Sequence, residues 1–135
     1  MITNIASFTI VVREQNEALE FYEQILGFEK RDDMPMGGGK YWIAVAPPNA
    51  QVVFVLQPLD RFEGEEREKH AMLLGKAPTI VLEVDDCKQT YIDLSSLGVE
   101  FTRVPMNTSY GIEAICKDLY GNSLVLLEKL LLGTQ

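Results

Sequence analysis

Two stretches of the chain carry the same order of hydrophobic patterns. Residues 8–12 (FTIVV) and 80–84 (IVLEV) are apolar runs of strand length, and each precedes a stretch with apolar positions at helical spacing. In the first, Ala18, Phe21, Tyr22 and Ile25 fall at i, i+3, i+4 and i+7 and share one face, leaving Glu17, Glu20 and Gln24 toward water. Gly27 ends that helix, because glycine accepts the left-handed conformation of a C-terminal cap. In the second, Asp86 is the expected N-cap, Cys87, Tyr91, Leu94 and Leu97 point inward, and Gly98 is the stop. The two stops lie 71 residues apart, and Val12 and Val84 lie 72 apart.

Each helix is followed by further strand-like runs. After the first come a strand at 28–31, a flexible loop at 34–39 and strands at 40–46 and 52–57, with Pro47-Pro48-Asn49 as the intervening turn. The three glycines at 37–39 resemble a phosphate cradle only superficially, since they do not open a helix. After the second helix come strands at 100–104, 112–117 and 123–128, a loop at 105–110, and a hairpin turn at Asp118-Leu119-Tyr120-Gly121-Asn122. The pattern predicts an α+β fold: two tandem β-α-β-β-β modules forming a curved mixed sheet with a central cleft, helices on the convex side. One domain is expected, with module one at about 3–58, a charged linker at about 59–77 and module two at about 78–131. His70, the only histidine, falls in that linker, where exposure is the ordinary expectation.

Composition narrows the partners. The formal net charge is −8, with 20 acidic and 12 basic residues and no basic cluster, so nucleic acid is excluded as a partner. The acidic balance favours cationic ligands. The longest apolar runs are too short and too interrupted to span a bilayer, so no membrane partner is expected, and the N-terminus lacks the basic start of a signal peptide. Cys87 and Cys116 stand far apart without a zinc or disulfide pattern, and are expected to pack as small apolar residues in a reducing, cytoplasmic compartment.

The segments EQNEALEFYEQILGF (14–28), VDDCKQTYIDLSSLGVEF (84–101) and GIEAICKDLYGNSLVLLE (111–128) resemble the vicinal oxygen chelate superfamily. That group contains glyoxalase I, extradiol dioxygenases, fosfomycin-resistance enzymes and bleomycin-resistance proteins. Leu119 stands where the family usually has proline, which removes some preorganisation from the last turn. Enzymes of the family hold one divalent ion through a His on the first strand, an acid on the fourth, a His on the fifth and a Glu on the eighth. Those positions fall here on Ser7, Phe54 or a neighbour, Thr79 and Val125, none of which is a metal ligand of that kind. A one-residue shift brings in Gln57, Glu83 or Glu128, but it recovers no histidine.

If the metal-equivalent positions face the cleft, strand alternation sends Thr9, Val11, Val81, Glu83, Ser123 and Leu127 the same way. Residues 8, 10, 12, 80, 82, 84, 124 and 126 then pack beneath the helices. Trp42, Tyr41 and Tyr110 are candidate stacking walls or ordinary core aromatics. Glu83 is the candidate acid or base, because a carboxylate in an apolar cleft titrates high; the alternative is a strand-end Glu exposed beside Asp85. The face of Glu113 is undetermined.

These readings favour a metal-independent protein that binds a small organic ligand, cationic or aromatic, in the cleft, without a cofactor. The expected site comprises Ser7, Thr9, Trp42, Phe54, Thr79, Val81, Glu83, Tyr110 and Val125. The alternatives are a lyase or isomerase using Glu83 for acid/base chemistry, or a lyase or dioxygenase with a noncanonical metal site. The resemblance also implies a homodimer.

Overall fold

A computed structural model describes residues 1–130. The module end expected at about 131 lies beyond the described residues. The chain forms two compact units, Met1–Leu74 and a second beginning at Gly75.

The first unit contains β1 (Ser7–Val12), α1 (Gln15–Glu20), β2 (Glu29–Gly37), β3 (Lys40–Ala46), β4 (Val53–Pro58) and α2 (Gly64–Ala71). Its sheet has the order β1-β4-β3-β2, with β1 and β4 parallel and the other pairs antiparallel. The second contains β5 (Ile80–Glu83), α3 (Cys87–Ser96), β6 (Phe101–Thr108), β7 (Gly111–Lys117) and β8 (Ser123–Lys129), in the order β5-β8-β7-β6 with the same directions. The repeated sequence pattern is thus a repeated topology.

Helices α1 and α3 each begin on an acidic cap. The Glu14 carboxylate accepts from the amides of Asn16 and Glu17 at 3.0 and 2.8 Å, and Asp86 accepts from Gln89 at 3.0 Å. After α1 the chain widens into a π turn at Phe21–Ile25, where the Leu26 amide reaches back five residues to Phe21 at 3.2 Å. Tyr22 is fully buried there, among the rings of Phe21, Phe28 and Phe54.

The hairpins are longer than the sequence pattern indicates. Residues 34–37 are strand rather than loop, and Gly38 and Gly39 form the turn, with φ of 63° and 76°. In the second unit β6 continues through Pro105 to Thr108. Pro35 in β2 and Pro105 in β6 lie on edge strands, which need not donate on their outer side, and both sit at register shifts. The expected linker is also more ordered, since it carries a 3-10 turn at Leu59–Arg61 and then α2, both within the first unit. Arg67 ties the two by donating to the Leu59 carbonyl at 3.0 Å.

Two turns are held by side-chain hydrogen bonds, one from half-buried Arg31 and one within the buried pair Asp118 and Asn122. Arg31 donates to the carbonyls of Pro47, Pro48 and Ala50 at 2.7, 2.9 and 3.0 Å. Asp118 accepts from the Tyr120 and Asn122 amides and the Asn122 carboxamide, while Asn122, 1% exposed, accepts from Ala77. These bonds stand in for the missing proline's preorganisation.

Candidate functional site

The parallel register of β1 and β4 aligns Ser7 with Val53, Phe8 with Phe54, Thr9 with Val55 and Val11 with Gln57. Phe54 is 4% exposed and packs its ring against Phe8 at 4.4 Å, Phe28 at 5.4 Å and Tyr22 at 6.1 Å. It therefore lies on the helix side of the sheet. This corrects its expected place in the ligand site: counting along the sequence put the fourth strand out of step by one, and one step reverses every side chain. On the face shared with Ser7 and Thr9, β4 presents Val53, Val55 and Gln57.

In the second unit the Tyr91–Phe101 ring pair at 4.8 Å marks the helix side. Phe101 is paired with Cys116, and Cys116 with Leu124, so Leu124 and Ile80 share that side. The opposite face carries Val81, Val125 and Ile115 in one row and Glu83, Leu127 and Glu113 in the next. Val81 is 57% exposed. The Glu83 side chain is 70% exposed and paired with Lys129 at 2.9 Å, so it does not occupy the apolar surroundings expected of a tuned acid or base. Thr79 lies just before β5, outside the strand.

Glu113, whose face alternation alone left open, belongs to the open face and is 9% exposed. Its Oε1 accepts from Arg103 Nη1 at 2.8 Å, and its Oε2 accepts from the Tyr110 hydroxyl at 2.8 Å. The hydrogen bond to Glu113, with some desolvation, raises the Tyr110 pKa above its usual 10.0. Tyr110 is thus a held proton donor on a carboxylate rather than a free stacking wall. Burial pushes the Cys87 thiol up and the Cys116 thiol to about 11, so neither supplies a thiolate near neutral pH.

A small open cavity of about 80 Å³ lies at the ends of β2, β3 and β4 in the first unit. Met36, Tyr41, Trp42, Val55, Gln57 and Arg61 line it. Gln15 fixes the strand ends by donating to the Tyr41 carbonyl at 3.1 Å and the Leu56 carbonyl at 3.0 Å. Trp42 is 37% exposed. Arg61 was not visible as a site residue in the sequence because it sits among linker charges, and only the short turn after β4 folds it back onto β3. His70 stacks on Phe62 with centroids 3.6 Å apart and rings 10° from parallel, and its Nδ1 lies 2.8 Å from the Glu66 carbonyl.

The fit to a metal can be judged from donor chemistry. On the first, fifth and eighth strand positions stand Ser7, Thr79 and Val125, and the open face of β4 offers only the neutral carboxamide of Gln57. Hydroxyls, an amide and an aliphatic side chain do not fit a divalent ion that calls for imidazole and carboxylate. Among the described residues, no three His, Cys, Asp or Glu side chains are grouped to hold a metal. No helix among them is long and apolar enough to cross a membrane.

Paired four-stranded β-α-β-β-β modules of this kind define the glyoxalase-like class of α+β proteins. The profile of the Glyoxalase/Bleomycin resistance protein/Dioxygenase superfamily matches residues 4–126, and the chain belongs to that superfamily. It is 32% identical over 128 residues to the uncharacterized protein YetH of Bacillus subtilis (strain 168), covering 95% of this chain and 100% of YetH. The crystal structure of UcmS2 is similar with a TM-score of 0.82 at 31% identity, covering 96% of this chain and 100% of that one. That of TnmS3, an antibiotic binding protein from Streptomyces sp. CB03234, is similar with a TM-score of 0.77 at 29% identity, covering 96% and 98%.

Proposed function

We propose that the protein binds a small organic molecule on an open sheet face without a metal ion, and sequesters it rather than transforming it. The observation that carries this reading is the donor set: Ser7, Val53 or Val55, Thr79 and Val125 stand where the family's enzymes place His, acid, His and Glu. Apolar walls with a few polar groups are the ordinary make-up of a small-molecule site. The similarity to TnmS3, an antibiotic binding protein, supports the same class of activity. Acid/base catalysis is less well supported, since Glu83 is paired with Lys129 in water and both oxygens of Glu113 already accept hydrogen bonds.

The test is a thermal-shift screen of aromatic antibiotics and metabolites, run with and without EDTA. A ligand at about 100 times its dissociation constant adds about 2.7 kcal/mol to stability, and the shift should be the same with the chelator present. A response that disappears with EDTA, or turnover of the bound compound, would overturn the reading.

A further inference from the structure

The cavity beside Trp42 has a charge opposite to that of the chain as a whole. The protein is strongly acidic, at −8, yet the cavity lining contains a guanidinium and no carboxylate. Arg61 is poorly satisfied there. One Nη2 proton goes to the Tyr41 carbonyl, and Nη1 faces the Met36 thioether at 3.7 Å, a weak acceptor. Its buried Nε has no hydrogen-bond partner among the described residues. The nearest carboxylate oxygen, on Asp60, is 3.7 Å from Nε, beyond hydrogen-bonding range, and the Asp60 side chain is 77% exposed against 15% for Arg61. Nε is shut off from solvent, but Nη1 and Nη2 each keep a further N–H, so the end of the fork retains donor capacity for an incoming acceptor.

The surroundings define what the acceptor belongs to. At about 80 Å³ the cavity is roughly half the ~150 Å³ that accommodates a benzene molecule, so it takes a head group and not a whole ligand. At its mouth Trp42, 37% exposed and on the same face of β3 as Ala44 and Val55, presents an indole ring, and Met36 presents a polarisable sulfur, surfaces suited to a flat ring. The guanidinium fork matches the planar geometry of a carboxylate.

We propose that this cavity seats the carboxylate of a flat aromatic ligand, with Arg61 as its counter-charge, Gln57 as a neutral hydrogen-bond donor and Trp42 as its stacking wall. The proposal rests on the binding function argued above and assigns its ligand class: an aromatic acid, where overall charge pointed to a cation.

Trp42 is the single tryptophan, so its indole N–H resonance reports this site directly. The ¹⁵N-labelled protein would be titrated with three probes of one shape: 2-naphthoate, 2-naphthalenemethanol and 2-naphthylmethylammonium. The expected result is a saturable shift of the indole resonance with naphthoate, at an affinity about tenfold above that of the alcohol, the cation being weakest. Arg61→Gln should bring naphthoate down to the affinity of the alcohol and leave the alcohol unchanged. Should Arg61→Gln fail to fold, the ranking of the probes on the native protein decides. Equal or better binding of the alcohol or the cation overturns the carboxylate assignment and leaves the binding function standing. Probes or screened antibiotics that bind without moving the indole resonance overturn the location. If neither these probes nor the wider screen binds, both readings fall.

Discussion

Replacing Phe54 by alanine separates the two registers of β4 most sharply. Phe54 is 4% exposed and touches three rings, those of Phe8, Tyr22 and Phe28. Burying such a side chain contributes about 1.5–3 kcal/mol by area alone. The cavity left among rigid neighbours raises the expected cost of the substitution to about 3–5 kcal/mol. The aromatic pairs overlap with that figure and are not added to it. For a chain of this size the melting temperature should fall by roughly 10–25 °C. Urea unfolding at 25 °C, followed by circular dichroism, gives the free energy, and a thermal melt gives the shift. Phe54→Leu keeps most of the volume and should cost only about 1–2 kcal/mol, which preserves a readable variant if the alanine form does not fold. Thr9→Ala, on the exposed open face, should stay within about 0.5 kcal/mol of the native protein. If Phe54→Ala lost less than about 1 kcal/mol while changing ligand affinity, Phe54 would face the ligand and the helix-side placement would be refuted.

Other outcomes follow from the polar contacts and the backbone. Arg103→Met removes the 2.8 Å ion pair to nearly buried Glu113 and should cost about 1–3 kcal/mol, part of which returns in the double variant with Glu113→Gln; a double-mutant cycle by urea unfolding measures it. One tyrosine should ionise later than the usual 10.0 in an ultraviolet titration, and Glu113→Gln should abolish the delay, since that hydrogen bond is its main cause. The Cys116 thiol, raised from 9.0 to about 11 chiefly by burial, keeps its proton longer folded than unfolded. Its contribution is complete below pH 9.0 and declines as pH rises toward 11, because the folded state then binds the extra proton; Cys116→Ala should flatten stability in that window. At Gly75, φ is +74° and an added Cβ would meet the Tyr120 carbonyl oxygen, so Gly75→Ala should lower the melting temperature, whereas Gly38→Ala meets no atom and should cost only its left-handed backbone strain.

What the sequence disclosed depended on whether a signal was local. Helices α1 and α3 were legible because periodic apolar residues and their caps, Asp86 with Gly98 for instance, lie within one stretch of chain, whereas α2, with no buried residue, read as a charged linker. The strand cores were legible for the same reason. The hairpin tips were not, because proline and glycine ordinarily mark loops, and only the pairing partner reveals that Pro35 and Pro105 sit on edges where a missing amide costs nothing. Registration between strands is equally non-local. The repeat anchors Ser7 and Thr79 by distance from a helix start, but nothing comparable anchors β4, whose run from Val52 to Leu56 is apolar on both faces. That run could not announce which parity faces the helix, and Phe54 was misplaced by one step. The chemistry hidden by this ambiguity is the chemistry on which the proposed ligand site rests. Once β4 is in register, Gln57 comes onto the open face, the turn beyond it brings Arg61 against Tyr41, and the cavity acquires a cation that linear charge counting had assigned to a solvated linker. Net charge describes the medium around a protein, whereas a ligand meets the few groups that a turn of three residues folds back against a strand.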